Sequence, residues 1–403
     1  MSEYVKPDLL SPEALANPHP LLAELRANAP VVRTYDPHMH EDAWLLTRYD
    51  DSIALHKDMR FTKNFDRKAE IRGETQDMAA SAAAAINKHM LMADPPDHTR
   101  LRELVHKAFT PRIIENLQPR IQQITDDLLD SVQAQGGMDL REEFALPLPI
   151  IVIAELLGIP LDDRPKFREW SNTILFSGVD GDPERMSTAA LEFIMYFHTM
   201  FDQRRAEPQD DLISGLVQVE EDGDKLDAQE LISMVFLLLL AGHETTFNLI
   251  TNGTLTLLKN PESLRHLREN PALIHTAVEE MLRYEGPLGT STMRWVMEDL
   301  EIRGQKISKG DLVLSSLLAA NRAPEVFADP QTFDITRDPN KHIAFGHGIH
   351  YCLGAPLARL EGVIAFNTLL RRLPNLQLSI PLDDLRWRPY LLIHSLETLP
   401  VKF

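Results

Sequence analysis

Residues 227–259 leave the chain little choice of fold. Apolar side chains run almost all round the helical projection from Leu231 to Leu240. A helix with no face for water has to be a central, buried rod. At 1.5 Å per residue it extends about 45 Å. Asp227 and Glu230 have the spacing of a capping box, with Asp where Ser or Thr is usual, and Asn260-Pro261 stops the helix. Its most apolar part, 231–242, is broken by Ser233 and falls short of the roughly 20 residues that cross a bilayer. Glu244, Thr245 and Thr246 interrupt the rod midway.

The flanking sequence supplies helices to surround it. Residues 18–29 read as a first full helix, capped by Asn17, with Pro18 leading and Leu22, Leu25 and Ala29 along one side. Strand-like 31–33 and 43–47 come next. Residues 62–92, with a small-residue run at 79–85, read as a loop with a short helix. Asp94-Pro95-Pro96-Asp97 opens the next helix, an Asp capping it. His98 and Arg102 share one face there, and Leu101, Val105 and Phe109 an adjacent one. Residues 112–133 form an amphipathic helix that Pro119 kinks or splits and Gly136-Gly137 end. Residues 146–157 are core. Helices over 164–205 surround a turn at 178–182, and Phe176, Phe193 and Phe197 there read as core more readily than as ligand contacts. Asn270 caps a helix carrying Glu280 and Arg283. Short strands at 300–302, 305–307 and 312–315, a meander at 323–340 and a last helix at 354–371 complete the chain. The fold class is mainly α with a small β-region, one α-rich domain over residues 1–403.

Composition narrows the function. Asp and Glu number 60 against 41 Lys and Arg, a net charge of −19, which argues against general nucleic-acid binding. A single cysteine excludes an intrachain disulfide and a four-cysteine iron–sulfur cluster, and reads as a reducing, cytoplasmic setting. No signal region or membrane anchor leads the chain.

That cysteine lies in Phe345-Gly346-His347-Gly348-Ile349-His350-Tyr351-Cys352-Leu353-Gly354. A lone cysteine is usually a small buried hydrophobe. Here three glycines permit close backbone approach, and a helix N-terminus comes after them, so the surroundings favour a thiolate. Such a thiolate suits the proximal side of a haem iron. The pattern Phe-Gly-x-Gly-x-His-x-Cys-x-Gly resembles the haem-binding signature of the cytochrome P450 family at every fixed position. The resemblance covers essentially the whole chain and is to a soluble, bacterial-type member. It implies haem b held between the long helix and the Cys352 loop, with Cys352 as axial ligand beside Phe345 and Gly346. It further implies that His98, Arg102, Arg294 and His350 bind the propionates, for which cationic donors are needed.

Ala241-Gly242-His243-Glu244-Thr245-Thr246 is the second motif. A zinc-protease reading fails because position 247 is Phe, not His. By resemblance, Gly242 lets the helix open and Ala241 adjoins the haem. Glu244 and Thr245 are the acid–alcohol pair that delivers protons during oxygen activation. Glu280 and Arg283 match the family's Glu-x-x-Arg, a buried structural pair. Many relatives carry Arg where Thr332 stands; either that partner is missing or another residue such as Arg337 replaces it. Leu237, Ala241, Leu288 and Leu391 map to pocket walls and imply a small hydrophobic substrate. The expected activity is monooxygenation with O2, fed by a separate ferredoxin or flavodoxin and its NAD(P)H-dependent reductase, since no reductase or ferredoxin module is appended. A peroxide-driven peroxygenase and a haem-based sensor without turnover are the alternatives. Arg100, Arg102, His106, Lys107 and Arg112 form a candidate basic patch for an acidic ferredoxin.

Overall fold

The computed structural model describes residues 6–74, 86–167, 169–170, 173, 183–221 and 224–403. The expected turn at 178–182, Phe176 and the run 79–85 lie outside the described residues. Two compact units emerge. The first comprises residues 1–61, 118–148 and 244–403; the second comprises 62–117 and 149–243. The described residues are mainly helical with small sheets, in line with the expected class.

In the first unit, Val31–Asp36 turns back onto Glu41–Leu46 in antiparallel register, Val31 opposite Leu46 and Asp36 opposite Glu41. Leu312–Ser315 adds parallel to Glu41–Leu46, and Arg294–Val296 pairs antiparallel with Leu312–Ser315. Alternate residues point to one side, and Val31, Trp44, Leu46, Val296 and Val313 bury there with Ile307. The hairpin Leu300–Ile302 with Gln305–Ile307 turns at Arg303 and Gly304, both with positive φ.

Helices Ile274–Tyr284 and Ala355–Arg372 pack about the C-terminal half of the long helix, burying Leu249, Leu257, Val278, Met281 and Phe366 in one cluster. Gly253 makes this approach possible. A Cβ at 253 would lie 2.6 Å from the Phe366 ring and 2.8 Å from Met281 Sδ. Both neighbours are fully buried, so one of them must shift within a packed core. Gly253→Ala is therefore expected to destabilise the protein by about 1–3 kcal/mol through overpacking, more than the roughly 1 kcal/mol of helix propensity it gains. A thermal melt no lower than that of the parent would contradict this.

The long helix runs unbroken from Ala228 to Lys259. Its capping box forms as expected: Glu230 N–H donates to Asp227 Oδ1 at 2.7 Å, and Asp227 N–H to Glu230 Oε2 at 2.9 Å. By length and composition the helix could cross a membrane, but 72% of its apolar window is buried inside the protein. The opening expected at Gly242 is absent. The backbone stays α-helical there, and the missing Cβ instead admits Ile153, whose Cγ1 would lie 3.0 Å away.

In the second unit, Phe193 and Phe197 are core. Their rings lie 4.6 Å apart and pack against Phe167, Trp170 and Tyr196 at centroid distances of 5.4–6.5 Å. Edge and tilted contacts of this kind suit the ring quadrupoles.

Several element ends differ from expectation. The helix expected from Pro18 spans His19–Asn28 without a side-chain cap, after a separate turn of helix at Pro12–Ala16. The expected break near Pro119 falls at Leu117, dividing Pro111–Asn116 from Gln118–Gln133. Helix Asp97–Ala108 has no side-chain cap. The Asp94 carbonyl accepts from His98 N–H, while its carboxylate turns to Lys63 N–H and Arg67. A helix at Pro261–Glu269 precedes the one carrying Glu280. Asn270 closes that earlier helix by donating to the His266 carbonyl, and its side chain caps no later one.

Candidate active site

The Cys352 loop is shaped by backbone. Gly346 and Gly348 have φ of +72° and +70°, conformations that disfavour a side chain. A Cβ at 348 would lie 2.6 Å from the His56 carbonyl, so the loop sits flush on helix Tyr49–Lys57. Cys352 N–H donates to the Phe345 carbonyl at 2.9 Å, which closes the loop. Gly354 then caps the 18-residue helix Ala355–Arg372; a Cβ there would come within 3.9 Å of Cys352 Sγ. The sulfur is thus half-buried at the positive end of a helix, where a thiolate is favoured. Phe345 and His350 are half-buried, and Arg294 is buried.

The donor chemistry fits a haem. One thiol stands at a helix N-terminus for the iron, and the same unit offers a guanidinium and an imidazole, Arg294 and His350, for carboxylates.

Glu244 is buried, while Thr245 is half-buried. Burial pushes the Glu244 carboxyl up to about 7, against the opposing pull of Arg141 and Arg388. Those two arginines escaped sequence reasoning. They come from distant stretches of chain, and no local pattern marks them. Arg141 is itself buried, its guanidinium 4.9 Å from the centroid of the Phe247 ring, in a short π-helical turn, Arg141–Ala145. Leu288 and Leu391 are brought onto neighbouring segments: Leu288 bridges Ile393, and Gly289 N–H donates to the Leu392 carbonyl at 2.9 Å.

In the second unit, His98 is buried and Arg102 half-buried on helix Asp97–Ala108. Leu237 is buried, whereas Ala241 is exposed between buried Leu239 and His243. The proposed basic patch loses one member. Arg100 is tied to Glu230 and, at 3.3 Å, to Asp224. His106, Lys107 and Arg112 are exposed.

Glu280 and Arg283 are fully buried and bidentate, with Nε and Nη2 each 2.7 Å from a carboxylate oxygen. Arg337 fills the place left open by Thr332. Its Nε lies 3.1 and 3.3 Å from the Glu280 oxygens, and the Thr332 carbonyl accepts from Arg283 at 3.0 Å and from Arg337 Nη2 at 3.4 Å.

Known proteins share this architecture. The cytochrome P450 family model matches residues 53–384. The chain is 45% identical over 395 residues to the polyketide biosynthesis cytochrome P450 PksS of Bacillus subtilis, covering 96% of this chain and 95% of that one. It is 45% identical over 397 residues to the cytochrome P450 monooxygenase PikC of Streptomyces venezuelae, covering 98% and 93%. The crystal structure of myxobacterial cytochrome P450 CYP267B1 in complex with myristic acid matches with a TM-score of 0.92 at 47% identity, covering 99% of each chain. With likeness running through nearly the whole of each protein, this chain belongs to the cytochrome P450 family of oxygen-incorporating haem oxidoreductases.

Proposed function

We propose that this protein is a haem-thiolate monooxygenase that inserts one atom of O2 into a small hydrophobic molecule, with Cys352 as axial ligand. Electrons come from a separate ferredoxin or flavodoxin and its NAD(P)H-dependent reductase. When bound, the haem supplies the redox-active iron at which oxygen is activated. Cys352 would hold the iron, and Arg294, His350, His98 and Arg102 would provide positive charge for the propionates. Leu237, Ala241, Leu288 and Leu391 offer apolar contact, which favours a polyketide or fatty-acyl substrate. PksS is named for polyketide biosynthesis, and the CYP267B1 structure holds myristic acid.

The observation that carries the reading is Glu244. A buried acid whose pKa is near 7 can give up and regain a proton at working pH. Its neighbour Thr245 offers a hydroxyl that both donates and accepts. Oxygen activation consumes protons in a site that must otherwise stay dry, and this pair supplies a route.

The decisive experiment combines two readouts. The reduced protein under CO is expected to show the red-shifted band of thiolate ligation. NADH-driven turnover with a surrogate ferredoxin and reductase should then yield oxygenated product from polyketide or fatty-acid probes that shift the haem spectrum. Product from hydrogen peroxide alone, with none from the NADH system, would instead favour a peroxygenase.

Glu244 also sets a pH dependence. Its protonated fraction falls as pH rises through about 7, so product formed per NADH should fall over the same range. Glu244→Gln is expected to flatten that profile and slow turnover on the order of a hundredfold. Thr245→Ala should keep the haem and the oxygen consumption but release more peroxide. Unchanged pH profile and coupling in these variants would remove the pair from proton delivery.

A further inference from the structure

Beside the Cys352 loop lies a charged cluster that plays no part in proton delivery or substrate contact. Arg359, on helix Ala355–Arg372, places its guanidinium 4.5 Å from the centroid of the Phe345 ring. Glu279, on helix Ile274–Tyr284, fixes it there: Arg359 Nε donates to Oε1 at 2.6 Å and Nη2 to Oε2 at 2.8 Å. Arg359 Nη1 also reaches the Tyr351 hydroxyl at 3.4 Å. His342 completes the cluster. Its Nδ1 accepts from Ala344 N–H, so the proton is on Nε2, which donates to Glu279 at 3.0 Å. One guanidinium therefore touches residues on both sides of the loop, Phe345 and Tyr351. Phe345 is also the residue whose carbonyl receives the Cys352 N–H.

We propose that Arg359 is a positioning residue that raises the reduction potential of the Cys352-bound haem, and that Glu279 limits the rise by neutralising its charge. The inference rests on the proposed ligation by Cys352. Adding one electron to the iron, with no proton, makes the site one unit more negative. A nearby cation favours that state, and a nearby anion opposes it. The aromatic face of Phe345 holds the cation against the loop without an anionic contact on the loop itself. The pair stays ionised throughout the working range. Burial acts to raise the Glu279 carboxyl, but hydrogen bonds from Arg359 and His342 outweigh it and bring it to about 2. Those bonds to Glu279 raise Arg359 above its ordinary value. The Arg359 side chain is 34% exposed, and a cleft of about 250 Å³ lined by His275, Thr276, Val278, Glu279, Arg359 and Val363 opens beside it. Water and salt reach the pair, so the effect is moderate and shrinks as ionic strength rises.

A bare structural tie between the two helices would behave differently. Breaking a tie from either end loosens the loop in the same way. The electrostatic role gives opposite signs. In a dithionite titration of the haem-loaded protein, Arg359→Gln is expected to shift the ferric–ferrous equilibrium three- to tenfold toward ferric, where tenfold is 59 mV for one electron. Glu279→Gln should shift it toward ferrous by a similar factor, and Arg359→Lys should stay near the parent. Both shifts should diminish in high salt. If Arg359→Gln fails to retain haem, the sign for Glu279→Gln decides alone. Shifts of the same sign in the two glutamine variants, or none beyond twofold, overturn the inference. A parent protein without the thiolate-type CO band would sink the ligation itself, whereas a normal band with unmoved potentials sinks only the role of Arg359.

Discussion

Serine at position 352 is expected to abolish the red-shifted ferrous–CO band and to lower monooxygenase turnover by two orders of magnitude or more, about 2.7 kcal/mol of barrier. The reasoning starts from the loop. Cys352 is the only cysteine, and its N–H is already committed to the Phe345 carbonyl. Its sulfur lies 3.9 Å from where a Cβ on Gly354, the N-cap of Ala355–Arg372, would stand, and a helix N-terminus favours negative charge. A thiolate is the form of cysteine that ligates a metal. An alcohol of the same shape stays un-ionised, so Cys352→Ser keeps the loop geometry while removing the charged donor. The fold should survive, because serine keeps the Cys352 N–H bond to the Phe345 carbonyl and leaves untouched the close seat of Gly348 on helix Tyr49–Lys57. Comparable secondary structure by circular dichroism, together with a lost or blue-shifted CO band, is the expected pair of results. A serine variant that keeps the thiolate-type band would remove Cys352 from the iron.

Much of the fold was legible in the residues. The long helix was readable at both ends because its signals are local: a reciprocal Asp227–Glu230 cap and an Asn260-Pro261 stop. The strands Leu300–Ile302, Gln305–Ile307 and Leu312–Ser315 were equally plain, bounded by Gly304 and Gly310, which adopt positive φ. Asn260-Pro261 also misled. Proline that ends one helix suits the first turn of the next, and Pro261–Glu269 begins on that residue. Arg294–Val296 went unread because three residues carry little alternation, and its partner strand lies beyond the hairpin. Gly242 looked like a place for the helix to open. In the fold it is a place for Ile153 to approach, and a glycine alone cannot distinguish the two. The charged partners were the least visible part. Arg141 and Arg388 around Glu244, and Arg359 opposite Glu279, are joined by tertiary packing alone.

Loss of Glu280 is expected to be the most damaging change outside the Cys352 loop. Glu280 and Arg283 are both wholly inaccessible to water, so neither charge can be hydrated if its partner is removed. Glu280 is also saturated from other sides: Asp334 N–H donates to Oε1 at 2.8 Å, Asn340 Nδ2 to Oε2 at 3.1 Å, and Arg337 Nε bridges both oxygens. Arg283 in turn donates to the carbonyls of Asn321, Pro330 and Thr332 at 2.9–3.0 Å. The ion pair thus pins the meander that leads into the Cys352 loop. Removing one partner of a buried pair costs about 3–5 kcal/mol, a large share of the roughly 5–15 kcal/mol that holds a folded protein together. Glu280→Ala and Arg283→Ala should therefore accumulate as misfolded or haem-poor protein, read as Soret absorbance per protein. Arg337 stands at the rim, with a tenth of its side chain exposed, so water replaces part of what it gives. Arg337→Gln should cost less, about 1.5–3 kcal/mol for lost hydrogen bonds to a charged group, and leave a haem-loaded protein that melts earlier. The graded order separates this arrangement from a surface pair, for which every variant would stay within about 1 kcal/mol of the parent. A stable, fully haem-loaded Glu280→Ala protein would show that the meander is held by something other than this network.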